Sequence, residues 1–151
     1  MSVTVRPVTH ADYDQWLPLW EGYNAFYKRV GPTAVPIEVT KLTWQRFFDG
    51  YEPMHALVAE DGGKLVGLVH YLFHRNTVMV GPVCYLQDLF TDASQRGKGV
   101  GKVLIEAVYD RAKAEGSPRV YWHTHETNKT AMRLYDYVGT HSGFVVYRKE
   151  L

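Results

Sequence analysis

The chain has little of several features that mark special classes of protein. It contains one cysteine, Cys84, so it can form neither an intrachain disulfide nor a cysteine zinc cluster. Its 17 basic and 16 acidic residues give a net charge of +1, which argues against a general nucleic-acid-binding surface. No apolar run approaches the roughly 18 residues that a membrane-spanning helix requires.

What the chain does contain is the composition of a folded domain. Of its 151 residues, 46% are apolar and 14% aromatic, which favours a globular protein over a disordered one. This length is typical of one domain with a substantial core, so we expect a single domain over residues 1–151. Residues 1–7 lack the apolar core of a signal sequence, and we expect a cytoplasmic protein.

The most informative stretch covers residues 85–108. Aromatic and branched residues that suit a buried strand precede its glycines, and apolar residues at helical spacing follow them. Without a Cβ, the glycines let the backbone approach a ligand where the strand turns into the helix. The first-turn amides of that helix point at the ligand, with Arg96, Lys98 and Lys102 beside them. The pattern predicts a site for a phosphate-bearing ligand.

Spacing argues against two common phosphate-binding motifs. A Walker loop would need glycine in place of Arg96 and a hydroxyl in place of Val103. A dinucleotide fingerprint that starts at Gly97 would need a third glycine where the chain has Lys102. A nucleotide-binding protein with a degenerate phosphate loop is therefore the weaker alternative.

The run Arg-Gly-Lys-Gly-Val-Gly at residues 96–101 resembles the acetyl-CoA pyrophosphate loop of the GCN5-related N-acetyltransferases. This resemblance implies that the chain binds acetyl-CoA, with its diphosphate on main-chain amides. The residues implied to bind the cofactor are Leu89, Phe90, Thr91, Arg96, Gly97, Lys98, Gly99, Val100, Gly101, Lys102 and Asn128.

Turn residues and apolar periodicity predict the element order β-α-α-β-β-β-α-β-α-β. This order is not the strict alternation of a doubly wound sheet, and it predicts an α/β fold with a mixed sheet and helices on both faces. The same order is that of the acetyltransferase family, in which the sheet is mostly antiparallel. The predicted elements include a second helix at 37–49, a strand at 119–125, a helix at 128–138 and a last strand at 144–147.

A second match to the family lies in residues 120–135, where a strand leads to Asn128, then an alanine, then Tyr135. The resemblance implies that Asn128 contacts the cofactor arm and that Tyr135 lies beside the cofactor sulfur; the alternative is a core tyrosine. Together with residues 16–27, this stretch is most similar to the yeast histone, polyamine and D-amino-acid acetyltransferases. It is more distantly similar to the spermidine/spermine enzymes. Members of that group often form homodimers, which implies the same here.

The aromatic residues of the first helix are mostly expected in the core. Tyr23 and Tyr27 are the exceptions, because they are polar-tipped and lie at its far end, where they can reach a substrate. We expect His123 to contribute to the same substrate site. His123 and His125 share one strand face, and His70 and His74 are four residues apart, but neither pair has the partners of a metal motif, so no metal site is predicted.

Transfer of acetyl to an amine requires a neutral amine, and a lysine-like ammonium with a pKa of about 10.4 costs roughly 4–5 kcal/mol to deprotonate at pH 7. The glutamate that the spermidine/spermine enzymes carry on the central strand is replaced by Gln87. Asp88, Glu126 or His123 can act instead through water, while Asp88 is equally expected to be a structural anchor. No direct base is assigned.

The reaction requires two further groups: a donor to the oxyanion and a proton donor to the leaving thiolate. In the family a backbone amide of the central strand stabilises the oxyanion, which by position implies Leu89 or Phe90. Tyr135 is the implied donor to the leaving thiolate, and we expect it to complete proton transfer late because a tyrosine is less acidic than a thiol. The acceptor is expected to be a small-molecule amine or a peptide lysine. The alternative function is a catalytically silent acyl-CoA-binding module.

Overall fold

The computed structural model describes residues 2–151 and has a five-stranded sheet in that part of the chain. The strands lie side by side in chain order, and every neighbouring pair is antiparallel except the last, which is parallel. Their bounds are β1 (Val3–Pro7), β2 (Met54–Asp61), β3 (Lys64–His74), β4 (Val83–Thr91) and β5 (Val120–Tyr121). The predicted mixed, mostly antiparallel α/β fold is confirmed.

Helices cover both faces of this sheet. Their bounds are α1 (Tyr13–Phe26), α2 (Ile37–Arg46), α3 (Val100–Ala114) and α4 (Lys129–Val138). One core cluster packs the tryptophans of α1 and α2 on one face, around Trp16 and Trp44. The other packs α3 on the opposite face, with Leu104, Ile105 and Val108 fully buried. No helix within residues 2–151 has the length and apolarity to cross a bilayer.

Local sequence signals explain two of the connections. Asp12 caps the start of the first helical segment: its carboxylate accepts from the amide of Thr9 at 2.7 Å, and Arg6 donates to the same oxygen at 2.7 Å. The β2–β3 hairpin turns at Gly62 and Gly63, whose φ angles of 57° and 82° suit glycine and a tight turn.

The prediction of a last strand at residues 144–147 was wrong. No strand follows α4 in the described part of the chain, and residues 140–151 are exposed throughout. A strand needs a hydrogen-bonding neighbour, and within one chain this segment has none. The strand predicted at 119–125 is also much shorter, because β5 pairs with β4 through only Val120 and Tyr121.

A β-bulge interrupts β4 near its middle. His70 of β3 lies opposite Asp88, but the next residue along, Tyr71, lies opposite Leu86, which leaves Gln87 as the extra residue. Bulges bend a strand and redirect its side chains, and they are common beside functional sites. Here the bulge at Gln87 lies two residues beyond Tyr85, the last residue of β4 that pairs with β5.

Candidate active site

The end of the β4–β5 pairing opens a cleft in the sheet. The strands pair only as Cys84 with Val120 and Tyr85 with Tyr121, so the rest of β4 has no strand neighbour on that edge. Backbone amides and carbonyls there are free to bond a ligand in extended conformation. The cavity at this point is lined by Tyr23, Tyr27, Leu86, Gln87, Leu89, Ile105, Trp122, His123 and Tyr135.

This cavity brings together five of the predicted site residues from four separate segments: Tyr23, Tyr27, Leu89, His123 and Tyr135. A second, more open cavity adjoins it, shares four of its lining residues and adds three others: Tyr85, Thr124 and His125. The cleft therefore has an enclosed part between the strands and an open mouth toward the end of α1.

The glycine loop lies between the end of β4 and α3. Gly97 and Gly99 have φ angles of 78° and 83°, in the left-handed region that glycine adopts without strain. The amide of Val103 donates to the Gly99 carbonyl at 3.1 Å, so the amides before it in the first turn have no acceptor within the helix. These amides lie at the positive end of the α3 dipole, a position at which helices commonly bind anions.

The three predicted cations surround that loop. Arg96 donates to the Thr91 carbonyl at 3.2 Å, with its guanidinium 5.4 Å from the centre of the Phe90 ring. Lys98 is exposed, and Lys102 makes a 3.8 Å ion pair with Glu106. The charged end of each side chain stays at the surface, where it can contact a phosphate group without being desolvated in the core.

Tyr135 connects the loop to the cavity. A Cβ added to Gly101 would lie 3.3 Å from the side chain of Leu134, so the first turn of α3 packs directly against α4 beside Tyr135. The Tyr135 ring packs edge-on against Trp122, with centroids 5.6 Å apart. Burial, with a smaller contribution from Tyr27, raises the pKa of Tyr135 to about 12, so its hydroxyl is a proton donor at neutral pH.

His123 lines both cavities, whereas Asn128 is not among their lining residues. The Asn128 side-chain amide donates to the Thr124 hydroxyl at 3.2 Å, and Asn128 immediately precedes α4. His123 is exposed and bonds through Nδ1 to the Tyr85 hydroxyl at 3.2 Å. Tyr85 was not among the predicted site residues, although alternation along β4 places it on the same side as the bulged Gln87.

Asp88 lies outside the lining of both cavities and is 9% exposed. Its Oδ2 is 2.9 Å from Nδ1 of His70, and Nε2 of His70 accepts from the indole N–H of Trp16 at 3.1 Å. Since an indole N–H can only donate, Nε2 carries no proton, and the neutral ring therefore donates from Nδ1 to the carboxylate. The two hydrogen bonds therefore run from Trp16 to His70 and from His70 to Asp88, and all three residues are buried.

This chain of hydrogen bonds ends beneath the cavity. Burial and, after it, the neighbouring Asp88 carboxylate raise the pKa of Tyr23. Asp88 is therefore close to Tyr23, which lines both cavities. Sequence reasoning missed Trp16 and His70 as its partners, since they lie 72 and 18 residues away along the chain and nothing in the local pattern connects them.

A phosphate loop after a central strand, beside an opened sheet with a tyrosine on the facing helix, defines an acyl-CoA-dependent acyltransferase. The model of the Acetyltransferase (GNAT) family matches residues 16–139. The chain belongs to this family; it is an N-acetyltransferase, and acetyl-CoA is its acetyl donor.

Relatives extend over nearly the whole chain. The D-amino-acid N-acetyltransferase HPA3 of Saccharomyces cerevisiae is 36% identical over 149 residues, which cover 97% of this chain and 90% of that protein. The uncharacterized N-acetyltransferase YhfO of Bacillus subtilis is 26% identical over 147 residues, covering 96% and 95%.

Solved structures have the same fold at lower identity. AAC(6')-Iy in complex with the bisubstrate analog CoA-S-monomethyl-acetylneamine has a TM-score of 0.79 at 18% identity, covering 100% of both chains. A transcriptional regulator from Bacillus halodurans C-125 has a TM-score of 0.83 at 21% identity, covering 99% of this chain and 100% of that one.

Proposed function

We propose that the protein transfers the acetyl group of acetyl-CoA to a primary amine of a small molecule or a lysine side chain, by direct attack with both substrates bound. The observation that carries this proposal is the cleft itself. An anion site lies at one end, Tyr135 lies along it, and the open mouth by Tyr23 and Tyr27 admits a second molecule. Two ligands can therefore meet without a covalent enzyme intermediate.

The donor side is built from backbone and loop groups. Amides at the start of α3, with Arg96, Lys98 and Lys102, would hold the diphosphate, while Val100 and the loop glycines give it close approach. The unpaired edge of β4 at Leu89, Phe90 and Thr91 would bond the extended arm, and Asn128 would contact it from the other wall. A β4 amide, from Leu89 or Phe90, would stabilise the charge that develops on the carbonyl oxygen.

The reaction forms a C–N bond and breaks the thioester C–S bond, while a proton leaves the amine and another reaches the sulfur. Tyr135 is our proposed acid. Its pKa of about 12 lies above the value of about 8.5 for a thiol. The hydroxyl therefore donates a hydrogen bond to the departing sulfur, and complete proton transfer comes late.

For the amine proton we propose a route through Asp88, reached by Tyr23 or by water at the cavity floor. The support is the interaction of Asp88 with Tyr23, which itself lines the cavity. His123, exposed at the mouth, is proposed to contact the acceptor. In this proposal Asp88 is both a structural anchor and part of the proton route, since its bond to His70 holds it in place while its carboxylate is close to Tyr23.

Release of free thiol from acetyl-CoA, measured across polyamines, D- and L-amino acids, aminoglycosides and histone-tail peptides, tests this function. Turnover with at least one amine supports it. Thiol release with none of them, together with a rise in melting temperature on adding acetyl-CoA, would instead favour a silent acyl-CoA-binding module. A larger shift with ATP than with acetyl-CoA would favour a nucleotide site. The cytoplasmic location stays a prediction from sequence.

We also propose a homodimer, supported by the exposed C-terminal segment. Phe144, Val145, Val146 and Tyr147 are 63–94% exposed, yet aromatic and β-branched residues of this kind favour strands. The free edge of β5 is an unpaired template for such a segment. We infer that residues 140–151 of one copy add to the β5 edge of a second copy and complete a sixth strand.

The mass of the protein in solution tests this dimer. We expect twice the 17.3 kDa of one chain. Val145→Pro, which removes an amide from the middle of the segment, should give monomers, whereas Val145→Thr should stay dimeric. A monomeric wild-type protein, or a Val145→Pro variant that still dimerises, would contradict the proposal.

A further inference from the structure

Beside the two tyrosines at the mouth of the cavity lies a restrained cation that the reaction described above does not use. Arg29 lies just beyond the end of α1, and its Nε donates to the side-chain oxygen of Asn24 at 2.8 Å. Asn24 is 5% exposed, and its own amide donates to the Trp20 carbonyl at 3.0 Å. A buried asparagine, bonded through both its oxygen and its amide nitrogen, thus holds the guanidinium in one orientation.

The backbone also positions Arg29 at a conformational cost. Lys28 has a φ of 61°, and within residues 2–151 it is the sole non-glycine residue with positive φ. This left-handed residue lets the chain turn back, so that the Arg29 amide donates to the Asn24 carbonyl at 2.9 Å. L residues disfavour this region, and such backbone positions are concentrated at functional sites.

The guanidinium lies against two rings that line the cavity, while Arg29 itself is not a lining residue, and it lacks an acidic partner. Its carbon lies 5.6 Å from the Tyr23 ring centre and 5.1 Å from that of Tyr27, and both rings line the cavity. Among residues 2–151, Arg29 forms no ion pair with a carboxylate. The planar guanidinium fork is suited to a carboxylate, and two of its nitrogens are left free by the bond to Asn24.

We infer that Arg29 binds a carboxylate of the acceptor, so that the preferred acceptors are amines with a free carboxylate, namely amino acids. This inference rests on the proposed acetyl transfer and names its substrate class. Tyr23 then lies between charges of opposite sign, with Arg29 on one side and Asp88 on the other. A zwitterion complements both charges, whereas a polyamine would bring further positive charge to Arg29.

Amino acids and their amides provide a test that isolates the carboxylate. Alanine, phenylalanine and lysine in both enantiomers would be compared with the corresponding amides as acceptors, with thiol release as the readout. We would measure the ratio of kcat/KM for acid over amide in wild type, Arg29→Gln, Arg29→Lys and the control Lys41→Gln. Lys41 is an exposed cation on α2 that lines neither cavity. Comparing ratios between variants cancels the different basicity of the amines.

For at least one amino acid, Arg29→Gln should lower the ratio by about 10- to 100-fold, the effect expected from losing a charge-assisted hydrogen bond. The loss should fall on the acid, Arg29→Lys should lie between, and Lys41→Gln should match wild type. An equal loss for acid and amide, no loss, or a wild-type preference for polyamines would overturn the inference while leaving acetyl transfer intact. Absence of turnover with every amine would overturn the proposed function itself.

Discussion

Substitution of Asp88 tests whether the buried hydrogen-bond network of Trp16, His70 and Asp88 takes part in catalysis. Its carboxylate accepts from His70 at 2.9 Å, and His70 is 3% exposed. Two substitutions separate its structural role from its proposed role in catalysis. Asp88→Ala removes the acceptor and the charge, whereas Asp88→Asn keeps an oxygen for His70 and removes only the charge.

The effect on stability follows from the hydrogen bond. In Asp88→Ala the His70 Nδ1–H is left buried without an acceptor, which costs about 1–3 kcal/mol. For a domain of this size, a loss of about 2 kcal/mol lowers the melting temperature by roughly 4–8 °C. In Asp88→Asn the side-chain oxygen still accepts from His70, and we expect a loss under about 1 kcal/mol.

If Asp88 is purely structural, the loss of activity should follow the loss of stability, so that Asp88→Ala is affected more than Asp88→Asn. If Asp88 helps to remove the amine proton, the isosteric Asp88→Asn should lower kcat/KM by about 100-fold or more, because an amide cannot accept that proton. Thermal melts and thiol release on the same preparations give both quantities. Asp110→Asn, at an exposed position of α3, is the matched control.

Two results would refute this reasoning. An Asp88→Ala variant that melts like wild type would mean that the bond to His70 contributes nothing measurable to stability. An Asp88→Asn variant with wild-type kcat/KM across the pH range would remove Asp88 from the proton route and leave it a structural residue alone.

Three other predictions address the loop, the acid and the pH dependence of stability. Tyr135→Phe should lower kcat by about 100-fold with little change in acetyl-CoA affinity; unchanged turnover with every acceptor would exclude the acid role. Gly97→Ala should cost about 1–2 kcal/mol, because φ is 78° in the folded loop, and should weaken acetyl-CoA binding in calorimetry; wild-type binding would show that the loop geometry is not required. Arg6 lowers the pKa of Asp12 from 3.8 to about 2, so this pair stabilises the fold above pH 3.8 and loses its contribution as the pH falls toward 2. Urea unfolding at pH 5 and pH 3 should therefore show Arg6→Gln about 2 kcal/mol less stable at pH 5, with a smaller difference at pH 3; an equal difference at both would contradict the linkage.

Local sequence was sufficient for features whose causes are local. The hairpin at Gly62 and Gly63, the capping residue Asp12 and the strand-to-helix loop at residues 96–101 each depend on a few neighbouring residues. Backbone freedom, a reachable carboxylate and unpaired first-turn amides are properties of short segments. For this reason the phosphate site was predicted at the position where the structure has positive-φ glycines before α3.

Tertiary structure decided the features that depend on register and on distant partners. The bulge at Gln87 sets which residue of β3 meets Asp88, and only then do Trp16 and His70 form one network with it. The role proposed for Arg29 likewise depends on how the end of α1 packs, because this packing brings its guanidinium beside the Tyr23 and Tyr27 rings.

The sequence by itself thus determined the order of all elements but the last, because periodicity and turn chemistry act over a few residues, and the resemblance of residues 96–101 and 120–135 implied the family and the donor. The tertiary structure decided the length of β5, the cleft and the unpaired residues 140–151. Strand pairing joins segments far apart in the chain, and no local pattern states whether a partner strand is present.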